Sequence, residues 1–319
     1  MKHVKPTYFI HTNDKQLVGA LVAKYSVEKT TAHGDKFDVK LIHLNDYPQL
    51  KRRHGKPFLR EGVWPRWNNE DLQSFTPLRF LPPELMAYEG RAIMVDPDVF
   101  ALADVWELFS RDMQDKAILC RRILPRRMPS GKVKGKTYWA SSVMLLDNAR
   151  LRHWDWAGAL DEMFAGKRDY RSWISLELEP EGSVGELEEA WNAFDTLEPW
   201  VKLLHNTARN TQPWKAGLPI DFLPKTAPAA RPPVLGFIPR GQLDKLAALV
   251  KGEVYAPLGV YAAHPDPSQE RLFFTLLQEC LELGIVTERF LRQEMRRNHI
   301  RHDALALLAS VRSQPALAA

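Results

Sequence analysis

Cysteine is nearly absent from this chain of 319 residues: only Cys120 and Cys280 occur. Two thiols exclude a disulfide framework and are too few for a cysteine-based zinc site. No run of 18 apolar residues is present, so no segment reads as a membrane span. Met1 to Pro6 lacks the apolar core of a secretory leader and runs straight into strand-like sequence, which predicts a cytoplasmic protein. A strong excess of one charge is missing too, since 44 Lys and Arg stand against 39 Asp and Glu, a formal net charge of +5. Such mild basicity suits an anionic ligand or a membrane surface and does not demand nucleic acid, which is not expected as a partner. What is there is the composition of a folded protein, 45% hydrophobic and 26% charged, long enough for one large domain or two modest ones. Ten tryptophans are many. Sugar-handling proteins use such flat apolar faces, although core packing is their commoner role.

Strand and helix patterns alternate in the first two thirds. Tyr8-Phe9-Ile10 is β-prone and ends in His11-Thr12-Asn13-Asp14, after which Leu17, Leu21, Val22 and Tyr25 recur at helical spacing. Phe37 to Ile42, Ala92 to Val95, Ser142 to Leu146 and Val201 to Leu204 read as further strands, and Asp104 to Phe109 as the start of a helix. Leu78 to Tyr88 reads as a helix interrupted by Pro82 and Pro83. This alternation predicts an α/β domain with a largely parallel sheet. The Pro/Ala stretch 226–233 then marks a linker, which predicts one domain over 1–225 and a mostly helical extension over 226–319. Its helices are expected at Leu243 to Val250, Gln269 to Leu283, Val286 to Arg297 and Asp303 to Val311.

The chemistry centres on Asp96-Pro97-Asp98, which follows the apolar run Ala92 to Val95. Residues i and i+2 of extended chain point to one side, and Pro97 biases Asp96 towards an extended backbone. Two carboxylates aimed the same way can hold one hard cation, and ligands of open α/β sheets bind beyond the carboxyl ends of strands. A divalent ion there can bridge the phosphates of a nucleotide-sugar and neutralise the diphosphate as it leaves. The alternative is a solvated turn, which for a bare Asp-x-Asp is the commoner case.

These residues resemble glycosyltransferase family eight, the glycogenin and lipooligosaccharide galactosyltransferase group. The family carries a strand, an Asp-x-Asp, a short apolar stretch, then an Asp and a Leu opening a helix, as Ala92 to Leu108 does here with Asp104 and Leu108. Phe75 to Leu85 resembles the segment whose basic residue, here Arg79, approaches the donor. Lys202-Leu-Leu-His205 and Gln212-Pro-Trp214-Lys215 resemble the family's late His, followed by Pro-Trp-Lys. The resemblance covers roughly residues 7 to 220. It implies a GT-A (Rossmann-like) nucleotide-sugar-binding domain, a hexosyltransferase using a UDP-sugar, and retention of anomeric configuration. It also implies His205 as third metal ligand after Asp96 and Asp98, with Lys215 and Arg79 on the donor phosphates. The acceptor, whether a glycan, a lipid-linked sugar or a protein, is unknown from the sequence, and no catalytic nucleophile is recognisable. Two departures stand out: Ala140-Ser141-Ser142 where the family has an Asn and a Gly, and no clear match for its Asp-Gln pair between Asp169 and Glu181.

A mixed oxygen and imidazole set suits Mn²⁺ somewhat better than Mg²⁺. Thr12, Asn13 and Asp14, just past the first strand, are candidates for base or ribose contacts, with a helix cap as the plainer role of Asn13 or Asp14. Arg121 to Lys136 holds seven basic residues and no acidic one, a loop that suits a flap over the diphosphate, an anionic acceptor, or plain solvation. Near the C-terminus, Arg289, Arg292, Arg296 and Arg297 follow an apolar helical face, which allows peripheral contact with an anionic membrane or a weak helix-turn-helix reading. The rival functions are another metal-dependent phosphate enzyme, such as a nucleotidyltransferase, and a non-catalytic nucleotide- or nucleic-acid-binding module.

Overall fold

The computed structural model describes residues 4–127, 133–222, 256 and 258–312. The linker at 226–233, the helix expected over Leu243 to Val250 and the middle of the basic segment lie outside the described residues. Two compact units emerge, residues 1–69 with 73–207, and residues 70–72 with 208–319.

The first unit is built on a six-stranded sheet in the order β2-β1-β3-β8-β5-β9. Its strands are β1 (Thr7–Thr12), β2 (Asp38–His43), β3 (Arg91–Val95), β5 (Ile118–Ile123), β8 (Tyr138–Asp147) and β9 (Val184–Glu186). Every residue of β1 is buried, as a strand covered on both faces requires. The pairings of β1 with β2, β1 with β3 and β5 with β9 are parallel, while β8 runs antiparallel between β3 and β5. The parallel pairs follow the sequence pattern; β5 was hidden there, because Arg121 and Arg122 interrupt its apolar run. Helix α1 (Leu17–Thr30) packs against β1 and β2. The helix expected over Leu78 to Tyr88 is divided at the prolines into a 3₁₀ turn, Thr76–Phe80, and a short helix, Pro82–Leu85.

Two short strands missing from the sequence reading complete the site. β4 (Val99–Ala101) pairs antiparallel with β11 (Leu203–His205), and β10 (Ala193–Phe194) pairs parallel with β11. Within the basic segment β6 (Arg126–Arg127) pairs antiparallel with β7 (Val133–Lys134).

Asp104 joins α1 to the chain beyond β4. Its carboxylate accepts from Thr31 Oγ1 at 2.7 Å, the Ala32 amide at 3.0 Å and the Trp106 amide at 2.9 Å, and lies 2.7 Å from His33 Nδ1. Burial works against its charge, but the Trp106 amide, His33 and Thr31 outweigh it and bring the carboxyl down to about 2. A depressed folded value means stability that is present above the unfolded value near 4 and is lost as pH falls towards about 2. Asp104→Asn is expected to cost about 1–2 kcal/mol at neutral pH. Thermal melts of both proteins should converge as the pH is lowered; a difference independent of pH would remove the charge from this account.

The second unit is described by itself. Trp214 stacks on Phe273 with ring centroids 4.6 Å apart, and Leu72, Leu218, Phe222 and Tyr261 form a small core. Helix α7 (Pro267–Glu282) starts at Asp266, whose side chain accepts from the Ser268 amide, with Pro267 at the first helical position. Helices α8 (Glu288–Arg296) and α9 (Ala304–Arg312) follow. Arg292 pairs with Glu288 on α8, and Arg297, just past its end, pairs with Glu294, so part of the expected basic face is neutralised within the unit. Among the described residues no helix is long and apolar enough to cross a membrane.

Candidate metal centre

Three side chains able to ligate a metal meet where the sheet pattern places them. Asp96 is the first residue after β3 and Asp98 the last before β4. His205, 107 residues further on, ends β11, and the antiparallel register sets it opposite Val99, next to Asp98. The Asn206 amide donates to the Asp98 carbonyl at 3.0 Å and fixes that register. One ligand atom from each of Asp96, Asp98 and His205 lies within 4.8 Å of the others. His205 Nε2 is 3.3 Å from Asp98 Oδ1 and 4.0 Å from Asp96 Oδ2.

The surrounding groups decide which atoms face the centre. Asp96 Oδ1 is taken twice: Arg79 donates to it at 2.5 Å, and His11 Nε2 lies 2.6 Å away. That leaves Oδ2 towards His205. Arg79 is itself held by Ser141 Oγ at 2.6 Å, and Ser141 donates to the Ile174 carbonyl. His11 reaches Asp96 because β1 and β3 run side by side in parallel, Ile10 opposite Val95. Its Nδ1 is 3.2 Å from the Phe75 carbonyl. On the other side of the centre His205 Nδ1 donates to Asn192 Oδ1 at 2.9 Å, and Asn192 Nδ2 donates to Ser142 Oγ at 3.0 Å. With Nδ1 held by Asn192, Nε2 is the ring atom turned towards the carboxylates, and a carboxamide partner of this kind is what orients a ligating imidazole. Phe194 packs edge-on against the same ring, centroids 5.4 Å apart.

Charge follows geometry. Burial opposes ionisation of Asp96, but Arg79 and His11 overcome it and hold the carboxyl far below the usual carboxylate range. Burial likewise opposes the His205 imidazolium, yet Asp98, Asp96 and Asp195 together raise its pKa above the ordinary value. Burial lowers that of His11, against the pull of Asp96. Two carboxylates and an imidazole, all nearly buried, are a donor set that fits a divalent cation with oxygen and nitrogen ligands.

The other expected site residues divide. Arg79 is brought into the centre as the partner of Asp96. Thr12 is buried, and Asn13 caps the turn Asp14–Gln16 by accepting from the Gln16 amide at 3.1 Å, while donating to Ser74 Oγ at 2.9 Å. Asp14 is exposed beside Asn45 and His43. Lys215 is wholly buried in the second unit, 3.2 Å from Asp221. His11, Ser141, Ser142 and Asn192 were not singled out as site residues by sequence. Only the strand pairings β1–β3, β3–β8 and β10–β11 bring them in. Of the tryptophans, Trp67, Trp154, Trp156, Trp173, Trp191 and Trp214 are buried, so most serve packing. A cavity of about 320 Å³ lined by Phe80, Trp154, Trp156 and Trp173 contains none of the three ligating residues.

No family model matches the chain, and no curated protein matches it. Among solved structures it is similar to the galactosyltransferase LgtC in complex with donor and acceptor sugar analogs. The identity is 16% and the TM-score 0.46, over 65% of this chain and 89% of that one. It is also similar to the glycosyltransferase GlyE of Streptococcus pneumoniae, at 12% identity and a TM-score of 0.45, over 89% of this chain and 64% of that one. Mouse xyloside xylosyltransferase 1 follows at 15% identity and a TM-score of 0.39, over 63% and 97%. These neighbours are glycosyltransferases.

Proposed function

We propose that this chain is a metal-dependent glycosyltransferase that moves a hexose from a nucleotide-diphosphate sugar, UDP-linked, to an acceptor with retention of configuration. The observation that carries the reading is the convergence of Asp96 Oδ2, Asp98 and His205 Nε2 beyond the end of β3. Asp96, Asp98 and His205 would hold the cation, Mn²⁺ in preference to Mg²⁺. When bound, such a cation supplies the positive charge that a diphosphate leaving group needs. Arg79 and His11 hold Asp96 Oδ1, so that Oδ2 would be left for the cation, and Asn192 fixes the direction of the His205 ring. Thr12, Asn13, Asp14, Arg79 and Lys215 are the candidate donor-binding residues, taken from the family resemblance and the strand-end position. No side chain is assigned as nucleophile. A front-face transfer, in which the leaving phosphate takes the acceptor proton, needs none.

The reading is tested by thermal shift. UDP should raise the melting temperature in the presence of Mn²⁺ and lose most of that effect in EDTA, because a ligand stabilises only as far as it binds the native state. Equal stabilisation under both conditions would refute a metal bridge. A nucleotidyltransferase would instead be stabilised by nucleoside triphosphates, the donors of its own reaction.

A further inference from the structure

One surface of the first unit is built for something other than donor chemistry. Residues 57–66 form a hairpin. Arg60 and Val63 exchange both backbone hydrogen bonds, at 2.9 and 3.0 Å, around a two-residue turn of Glu61 and Gly62. Both turn residues have positive φ, 51° and 77°, as a tight primed turn requires. The inner side is anchored: Phe58 and Trp67 are buried in an aromatic cluster with Phe164 and Tyr170. The Tyr170 amide donates to the Leu59 carbonyl at 2.9 Å, and the Trp67 amide to the Lys56 carbonyl at 2.8 Å. The outer side does the opposite. Val63 is 60% exposed and Trp64 53% exposed, consecutive in sequence just past the turn.

Trp64 is held in this exposed position. The tip of its six-membered ring lies on Gly166, where an added Cβ would stand 2.2 Å from it, so only glycine admits the indole there. Exposure of a large aromatic side chain on a rigid support calls for a partner, since each apolar group left in water forgoes its burial energy.

The charge around the tip says which partner. From Lys51 to Arg66 there are six lysines and arginines and one acidic residue, Glu61, so this short segment alone holds an excess equal to that of the whole chain. Arg53 is neutralised by Asp161, and Arg168 behind the tip by Glu162. Arg52, Lys56 and Arg66 have no carboxylate partner among the described residues, and all three are exposed. Apolar tip, tryptophan and unpaired cations together fit the interface of a bilayer with anionic headgroups: indole and valine enter the headgroup boundary while the cations meet lipid phosphates. A single-stranded nucleic acid would use the indole and the cations but offers nothing to a β-branched aliphatic residue as exposed as Val63.

We propose that hairpin 57–66 docks the protein on an anionic lipid surface. The full-length protein should co-sediment with phosphatidylcholine vesicles containing phosphatidylglycerol and not with pure phosphatidylcholine. Val63→Ser combined with Trp64→Ser should weaken this at least about tenfold. Trp64→Phe should retain most of it, and Arg52→Gln with Lys56→Gln should reduce it several-fold and flatten its salt dependence. Melting curves of the variants separate lost binding from lost folding. The idea is overturned if anionic vesicles are not bound, if the tip variant binds them unchanged, or if a tip-dependent affinity appears only for single-stranded RNA. UDP-sugar hydrolysis in vesicle-free solution is read separately, so loss of docking and loss of the proposed enzymatic activity are distinguishable.

Discussion

Asp98→Asn is expected to abolish metal-dependent turnover of a UDP-sugar, by about three orders of magnitude or more, while leaving the melting temperature without metal nearly unchanged. The amide keeps the shape of the carboxylate but loses the charge. Asp96 cannot compensate, because its Oδ1 is already engaged by Arg79 and His11. Neither can His205, whose Nδ1 is committed to Asn192. Removing the Asp98 charge therefore leaves one outward carboxylate oxygen and one imidazole nitrogen, too few for a tightly held divalent ion. Donor hydrolysis by the purified variant, compared with wild type across a Mn²⁺ titration, is the measurement. Near-normal activity at saturating Mn²⁺ would reduce Asp96-Pro97-Asp98 to a turn.

The second large effect is on stability and is reversed by metal. Arg79 and Asp96 are both almost enclosed, with 9% and 13% of their side chains exposed. Taking away one partner of such a pair strands the other as a buried charge, at a cost of about 3–5 kcal/mol. Arg79→Leu should therefore lower the melting temperature by roughly 6–12 °C in the absence of metal, using the lower end of that cost. The stranded carboxylate would still be a metal ligand. Mn²⁺ should then stabilise Arg79→Leu by more degrees than it stabilises wild type, because the cation supplies the positive charge the variant lacks. Differential scanning fluorimetry with Mn²⁺ and with EDTA measures both terms. If the two proteins gain equally from Mn²⁺, Arg79 and the cation do not share Asp96.

How much of this was legible beforehand follows from distance along the chain. Asp96 and Asp98 could be marked from local rules: an apolar strand, an extended Asp held by Pro97, and two side chains on one side. Those rules leave a metal pair and a solvated turn evenly matched until the family resemblance is added. His205 could be reached only through the resemblance of its neighbourhood to a family, because nothing local ties residue 205 to residue 98. His11, Ser141, Ser142 and Asn192 had no such help. Each enters through strand register, and β4 and β10 are too short to leave a periodic signal. Asn13 was read both as a nucleoside contact and as a helix cap, and the cap is the geometry the backbone realises. The two arginines in β5 hid a strand by breaking its apolar pattern. Arg121 is there to donate to the Asn192 carbonyl at 2.7 Å, a role visible only in three dimensions.

The pairing of β4 with β11 has a consequence for how such a chain can change. His205 is placed by register against Val99, not by the length of the intervening polypeptide. Lengthening the segment between the two strands raises the closure entropy only slowly, by about 0.6 kcal/mol for each doubling of a flexible loop. That segment includes the Trp-rich helical turns and the basic ribbon. Surface loops within it can therefore be extended, shortened or exchanged at little cost, provided the three-residue ladder and the supporting Asn192 stay in place. In evolutionary terms the Asp96, Asp98 and His205 corner and the surface loops around it can be altered separately, and grafting loops between residues 102 and 202 is the engineering route this topology leaves open.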